Sequence, residues 1–462
     1  MKAMKLVFIC SLVMLLLAAC GSGNGNQSGE GDKPAATNQG SGNEGKQEGE
    51  EKPQDKVTVK YYTWANGVTW ENIQKIAGNF ETANPAIDVE PIQLVDNGNS
   101  TDFYKKLDIM AATGEPIDVV QFSNVDFIVE RAARGVLEPL DDFLAKDKID
   151  ASKEFYVSPS YDGKMYGIQD MASPWLIALN KSALDEAGLP VPEWGWTWDD
   201  FREYAKKLTK GKGQDKQYGA YFHTWGEYVN LITYTEKPHP YLNADKSPIF
   251  GDESYKQFFE LRRAMEQEDK SVKPFSDIVG AKLHYATEFL NGDAAMIPTA
   301  TFILGMIADK EKYPHDFQTV FAPLPRSSEE VEIGLSYIGG NFLSVGATSE
   351  HKEESYQFIR YMAQQTDVIR DFPGSRSIDG ATVTKALIGD NGNLIDEASL
   401  IATAFDGRVK TIYDANYTTG YASQLKKVIE DGFSGYILDN KSAEDAQAAM
   451  TEAAKTVIES AK

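Results

Sequence analysis

The fold class is decided by a stretch that begins VTVKYYTWANG at residues 57–67 and ends VVQF at residues 119–122. Apolar and polar residues alternate at 57–61 and again in DVEPI (88–92), which favours β-strands, and VVQF is a short apolar run. Between these strands, IQKIAGNF (73–80) and FYKKLDIMA (103–111) repeat apolar residues at helical spacing. This βαβαβ order predicts an α/β fold with parallel strands wrapped by helices.

The ends of these strands carry polar and aromatic side chains. In parallel sheets, ligands bind outside the carboxyl ends of the strands. We therefore expect two groups of residues near a ligand site: Trp64, Asn66 and Gly67 after the first strand, and Ser123, Asn124 and Asp126 after the third.

The amino terminus has the pattern of an export signal. Lys2 and Lys5 accompany an apolar run at 6–19, which is too short for a membrane span and typical of a signal peptide. The run ends in Leu17-Ala18-Ala19-Cys20, which resembles the lipobox of bacterial lipoproteins. That resemblance implies that residues 1–19 are removed and that Cys20 carries a diacylglyceryl anchor and palmitate on the outer face of the cell membrane. The alternative is an ordinary signal peptide in which Cys20 has no such role.

Residues 20–56 follow as a low-complexity segment rich in Gly, Asn, Gln, Ser, Glu and Lys. Large apolar side chains are almost absent, so burial cannot offset the entropy of ordering, and we predict a disordered linker. A flexible coil of about 35 residues spans roughly 30–35 Å.

Composition limits the function classes open to the remaining residues, 57–462. The chain has 46 Lys plus Arg against 69 Asp plus Glu and no basic clusters, so nucleic acid is not expected as a partner. Cys10 lies in the segment that would be removed, which leaves Cys20 without a disulfide partner and no cysteine cluster for a metal. We expect no metal and no cofactor.

Several short motifs occur in a fixed order along the rest of the chain. They are GEPIDVV (114–120), DGKMYGI (162–168), LNKSAL (179–184), AGLP (187–190), TWDDF (197–201), FLNGDAAM (289–296) and GGN (339–341). Together they resemble the extracellular solute-binding proteins of carbohydrate-type ABC importers. The chain departs from the common pattern at Ile117, Gln169 and Leu179, where Pro, Pro and Tyr are frequent.

The resemblance implies a two-lobed, periplasmic-binding-protein-like (type II) fold joined by hinge strands. One lobe would comprise residues 57–168 plus 335–400, and the other residues 169–334 plus 401–462. By the same resemblance, the protein would be a monomer that closes its lobes on a carbohydrate, with an oligosaccharide favoured, and delivers it to the membrane permease subunits of an ABC importer.

A sugar site needs aromatic rings for the apolar face of a pyranose and polar groups for its hydroxyls. The aromatic candidates are Trp225, in a loop-like setting, Phe302 and Tyr421, and the last two match family aromatic positions. The polar candidates are Asn66, Asn124, Asp126, Asp170, Asn341 and the backbone at Gly340.

Most of these residues also have a structural interpretation. Phe302 can be a core residue, and Gly339-Gly340 can form a tight turn. Thr197 before Asp199 and Asp200 predicts a helix N-cap, with Trp198 in the core.

Two other functions stay open at this point. A lipid-anchored glycoside hydrolase would hide its paired carboxylates among the many acids. A sensory binding protein would report to a membrane kinase instead of an importer. The sequence has no GxSxG, HExxH or GxxxxGK[ST] motif, and the acidic turn at 390–397 lacks EF-hand spacing.

Overall fold

The computed structural model describes residues 56–461 except 97, 367, 369 and 370. The proposed signal peptide, Cys20 and all of the proposed linker but Lys56 lie outside the described residues. Within the described part, no helix has both the length and the apolar character that crossing a bilayer requires.

The strands alternate with helices over residues 57–122, as the sequence predicts. The strands are β1 Val57–Thr63, β2 Ile87–Gln93, β3 Val119–Phe122, β4 Ser160–Tyr161, β5 Lys164–Met165, β6 Ile168–Asn180, β7 Met296–Ala300, β8 Thr319–Pro323, β9 Ile338–Val345 and β10 Phe372–Pro373.

The α-helices account for much of the remaining described chain. They are α1 Gly67–Ala83, α2 Ser100–Thr113, α3 Val125–Ala133, α4 Asp141–Lys146, α5 Ala151–Glu154, α6 Lys181–Ala187, α7 Trp198–Leu208, α8 Gly226–Val229, α9 Thr233–Glu236, α10 Glu253–Arg263, α11 Phe275–Ala281, α12 Tyr285–Leu290, α13 Ile303–Ala308, α14 Lys352–Gln364, α15 Gly380–Ile388, α16 Glu397–Ala404, α17 Ala422–Leu438 and α18 Ala443–Ser460. A π-helical segment, Ala264–Glu268, follows α10.

The main sheet runs β10-β6-β9-β3-β1-β2, and β7 and β8 also pair with β6. β1 lies parallel to both β2 and β3, which confirms the predicted βαβαβ arrangement. The long strand β6 is antiparallel to β9 and β10 near its start and to β7 and β8 near its end. β6 therefore joins two groups of strands.

The apolar side chains form two sets of clusters along this sheet. The first core surrounds β1–β3 and includes α1–α3, α14, Ile168 at the start of β6 and Leu343 of β9. The second core surrounds β7 and β8 and includes Leu176–Leu179 of β6, α7, α10, α12, α15 and α17. β6 thus contributes side chains to both cores.

Two local predictions can be compared directly with the structure. Thr197 caps α7 and exchanges hydrogen bonds with Asp200 in a capping box, and Trp198 is buried, so both predictions are confirmed. The tight turn that was one interpretation of Gly339-Gly340 does not form, because both residues lie within β9. Gly340 has φ of +133°, and a Cβ there would lie 1.9 Å from the carbonyl oxygen of Met171 on β6. The close approach of two strands explains this glycine.

Candidate ligand-binding cleft

An aromatic wall on the side of the second core contains two of the predicted ligand residues. The wall consists of His223, Trp225, Tyr285 and Phe302. The Trp225 ring lies 5.2 Å from Tyr285, 6.4 Å from Phe302 and 4.8 Å from His223, measured between centroids. Trp225 is the N-cap residue of the one-turn helix α8 and is 37% exposed, so its ring is available to a ligand.

A polar cluster lies next to this wall and reaches the side of the first core. It consists of Asp126, Glu227, Lys426 and Glu430. The Lys426 ammonium donates to the Glu227 carboxylate at 2.5 Å, and Glu430 accepts a hydrogen bond from the Gly226 backbone at 3.1 Å. Glu227 is two residues from Trp225, so this cluster connects Asp126 of α3 to the aromatic wall.

The environment of Asp126 favours its neutral form. Burial raises the pKa of this carboxyl to about 7, while the positive charge of Lys426 opposes the rise. A protonated carboxyl near neutral pH can donate as well as accept a hydrogen bond.

A buried hydrogen-bond chain holds Asp126 from the other direction. The backbone N–H groups of Tyr241 and Leu242 donate to His239 Nδ1 at 3.2 and 3.3 Å. His239 Nδ1 must therefore be the unprotonated nitrogen, and Nε2–H donates to Thr418 Oγ1 at 2.9 Å. Thr418 in turn donates to Asp126 at 3.4 Å. Burial lowers the pKa of His239 to about 3, which keeps the imidazole neutral.

Trp64 and Ser123, two predicted residues of the first-core side, meet around Tyr104. The Trp64 ring packs edge-on to Phe103 and Tyr104, at 5.3 and 5.9 Å. Ser123 Oγ lies 3.0 Å from the Tyr104 hydroxyl, and the Ser123 N–H donates to the same oxygen at 2.9 Å. Trp64 and Ser123 thus have structural partners in the first core.

The two predicted asparagines are at helix starts. Asn124 caps α3, where its side-chain oxygen accepts from the Phe127 N–H at 3.2 Å. Asn66 precedes α1, is exposed, and its side-chain amide lies against Gly98. Asn124 therefore has one acceptor site occupied by its own helix.

Three predicted residues lie on the paired strands β6 and β9. Asp170 is 1% exposed inside β6, and Asn341 of β9 is half-buried opposite Met171. Gly340 pairs with Ala172. These positions are at the strands that join the two cores.

The last predicted residue, Tyr421, lies in a separate crevice. The half-buried ring precedes α17 and lines a crevice of about 640 Å³ together with Tyr161, Lys246, Asn416 and Thr418. Thr418 belongs to both this crevice and the hydrogen-bond chain to Asp126, so the crevice adjoins the polar cluster.

The structure thus brings Trp225, Phe302 and Asp126 into one neighbourhood and distributes the others around it. Sequence reasoning missed His223, Tyr285, His239, Glu227 and Lys426. His223 and Glu227 each lie two residues from Trp225, so their spacing was an available signal. The tertiary fold brings His239 and Lys426 into the surroundings of Asp126, and no local motif marks them.

The model of the bacterial extracellular solute-binding protein family matches residues 66–368. The match covers more than half of the chain, so the chain belongs to this family, whose members are binding proteins that act outside the cell.

Individual relatives are distant. An uncharacterized lipoprotein from the oleD 5′ region of Streptomyces antibioticus is 23% identical over 376 residues, which cover 79% of this chain and 78% of that protein. The sn-glycerol-3-phosphate-binding periplasmic protein UgpB of Escherichia coli is 22% identical over 280 residues, 58% of this chain and 63% of UgpB. The chain therefore covers less than two thirds of UgpB.

Solved structures confirm the predicted fold class. A sugar transporter protein from Rhizobium etli, in an open conformation, has a TM-score of 0.71 and 24% identity over 86% of this chain and 99% of that chain. An ABC substrate-binding protein from Listeria monocytogenes, in complex with cycloalternan, has a TM-score of 0.65 and 20% identity over 87% of this chain and 99% of that chain. The chain has the two-lobed α/β fold of periplasmic binding proteins.

Proposed function

We propose that this protein is the ligand-binding component of an ABC importer and that it captures a carbohydrate, with an oligosaccharide favoured. The observation that carries the proposal is the aromatic wall with the exposed Trp225 ring beside the polar cluster of Asp126, Glu227 and Lys426. A pyranose presents an apolar C–H face to such a ring and hydroxyls to such polar groups.

The similar proteins point to more than one class of solute, so the choice between a carbohydrate and a phosphate ester depends on the chemistry of the site. Their names mention sugars, cycloalternan and glycerol phosphate. A small phosphate ester needs cationic or N–H donors, whereas the polar cluster contains three carboxyl groups and one ammonium, which is already paired with Glu227. Aromatic stacking therefore favours a carbohydrate.

We propose that ligand binding closes two lobes that follow the two apolar cores. The sequence-based boundaries are kept except for residues 372–404. Phe372, Val383, Leu394 and Leu400 pack in the second core with Leu176 and Phe321, so we assign this segment to the second lobe. A ligand that contacts both lobes stabilises the closed form by its differential affinity.

We also propose that Cys20 is diacylated and anchors the protein to the outer face of the cell membrane, near its permease subunits. The lipobox-like sequence and the lipoprotein among the relatives support this. Radiolabelled palmitate should be incorporated into the full-length protein and not into the Cys20→Ala variant. Equal labelling of both would contradict the anchor.

The binding function is tested by a thermal-shift screen against neutral glycans. A ligand at about 100 times its Kd adds roughly 2.7 kcal/mol to the free energy of unfolding. We expect the strongest glycan to be recovered unchanged and to reduce the radius of gyration in X-ray scattering. New reducing ends would indicate a hydrolase, and absence of compaction with a tight ligand would refute lobe closure.

The importer role has a separate test. A strain that lacks the gene should lose uptake of the glycan that the protein binds. Retained uptake, with loss of a transcriptional response to the glycan, would indicate the sensory alternative.

A further inference from the structure

His223 occupies the inner part of the aromatic wall and is held there by a tyrosine. The Tyr221 hydroxyl lies 3.1 Å from His223 Nδ1. On its other side, the imidazole ring faces Trp225 at 4.8 Å and Tyr285 at 5.6 Å, both in edge-to-face geometry. His223 is half-buried, whereas Tyr221 is fully buried.

The hydrogen bonds of Tyr221 determine which nitrogen of His223 carries the proton. A phenol has one hydrogen, and the Tyr221 hydroxyl donates it to the carbonyl oxygen of Leu283 at 3.2 Å. A carbonyl cannot donate, so the Tyr221 oxygen can only accept from His223. His223 Nδ1 must therefore bear the hydrogen, which leaves Nε2 with a lone pair.

The imidazole stays neutral in this environment. Burial, and secondarily the nearby His284, lowers the pKa of His223 to about 4. At neutral pH the ring therefore presents an acceptor and no positive charge.

We propose that His223 is a specificity-determining residue of the cleft, whose Nε2 accepts a hydrogen bond from a hydroxyl of a neutral ligand stacked on Trp225. Tyr221 is the positioning residue, because its hydroxyl fixes the tautomer. A ligand without a donor at this point leaves the acceptor unpaired and binds less tightly, which distinguishes sugars that differ in one hydroxyl. The recognition role of His223 rests on the proposed carbohydrate function, whereas the assignment of its tautomer does not.

The first experiment needs no ligand. Nitrogen-15 NMR of the histidine side chains at pH 7, with His223→Gln used for assignment, should show His223 with hydrogen on Nδ1. In Tyr221→Phe the signal should move towards the Nε2–H tautomer, a change that a merely space-filling tyrosine would not cause. A wild-type His223 with hydrogen on Nε2, or on both nitrogens, would overturn the proposal.

The second experiment measures affinity for the stronger binder of maltotriose and mannotriose. His223→Leu keeps a similar volume without an acceptor and should weaken binding about tenfold or more, whereas His223→Gln restores a side-chain oxygen and should bind within about threefold of wild type. Thermal melts without ligand check that both variants fold. Equal affinities of wild type and His223→Leu would overturn the proposal.

The two experiments separate this inference from the proposed function. If neither trisaccharide binds the wild-type protein but the Nδ1–H tautomer is observed, the carbohydrate function fails and the recognition role of His223 fails with it, while the tautomer assignment stands. If a trisaccharide binds the wild type and His223→Leu with equal affinity, the carbohydrate function stands and the proposed role of His223 is wrong.

Discussion

Asp126 and His239 are linked through Thr418, and burial raises the pKa of Asp126 and lowers the pKa of His239. Burial disfavours the charged form of each group, so Asp126 tends to keep a proton and His239 tends to lose one. The two groups should therefore change the free energy of unfolding in opposite directions when the pH falls from 7 to 5.

His239 destabilises the folded protein as the pH falls. Its pKa is about 3 in the folded protein against a usual value of 6.5, so between these values the unfolded chain binds the extra proton. Stability therefore decreases as the pH falls below 6.5, and the loss from pH 7 to pH 5 is about 2 kcal/mol.

Asp126 acts in the opposite direction. Its pKa is about 7 in the folded protein against a usual value of 3.8, so between these values the folded chain binds the extra proton. The stability that this group contributes is lost as the pH rises through 7, and the gain from pH 7 to pH 5 is about 2 kcal/mol. In the wild type the two contributions nearly cancel.

Single variants separate the two contributions. We measure the free energy of unfolding by urea denaturation at pH 5 and pH 7. On acidification, the free energy of unfolding of Asp126→Asn should fall by about 2 kcal/mol more than that of wild type, because of the two groups only His239 still titrates. That of His239→Gln should rise by about 2 kcal/mol relative to wild type, because of the two groups only Asp126 still titrates. The double variant should return to the wild-type pH dependence, which controls for all other titrating groups. Changes of the same sign in both single variants would refute the reasoning.

Three further pairs of variants test other parts of the molecule. Trp225→Ala should weaken saccharide binding at least tenfold with little change in melting temperature, whereas Trp198→Ala, at a buried ring, should cost about 3–5 kcal/mol of stability. Calorimetric titration measures the binding and thermal melts measure the stability. An equal loss of melting temperature in the two variants would contradict the placement of Trp225. Gly340→Ala should destabilise the pairing of β6 with β9, because its Cβ would clash with Met171, whereas Gly78→Ala, in open space in α1, should add about 0.5–1 kcal/mol to the free energy of unfolding. Urea denaturation that shows no loss of stability for Gly340→Ala would be inconsistent with this. Lys426→Met should cost about 2–3 kcal/mol at pH 7, because it leaves Glu227 without its cation, and less at pH 5, where Asp126 is protonated. Its control Lys427→Met, which breaks an exposed pair with Asp431, should change stability by less than about 0.5 kcal/mol, and similar costs for the two lysines would argue against the polar cluster.

The fold was predictable because its signals are local. The strand and helix periods over 57–122 correspond to β1, α1, β2, α2 and β3, and the chain order of those elements makes the strands parallel. A tight turn is one interpretation of the glycines at 339–340, because a lone sequence does not show that a neighbouring strand passes within contact distance of Gly340.

Residues of the candidate site could be predicted from the sequence only where an exposed side chain lies in a loop-like stretch. Trp225 lies at the start of a one-turn helix, and that loop-like setting is visible in the sequence. The partners of Asp126 are 292 and 300 residues away at Thr418 and Lys426, so only the tertiary fold reveals them. Of the predicted polar residues, Asn124 caps a helix and Ser123 lies in hydrogen-bond contact with Tyr104. The sequence alone does not distinguish these structural roles from ligand binding.

Two polar contacts between α3 and the segment 418–423 suit a ligand-controlled closure. Thr418 donates to Asp126, and Ser423 of α17 donates to Glu130 of α3. A hydrogen bond of this kind contributes about 0.5–1.5 kcal/mol net, because water replaces the partner when the groups separate. A differential affinity of about 5.5 kcal/mol moves such an equilibrium from 1:99 to 99:1. A ligand that stacks on Trp225 and bonds to Asp126 contacts both sides at once, so it can supply that difference.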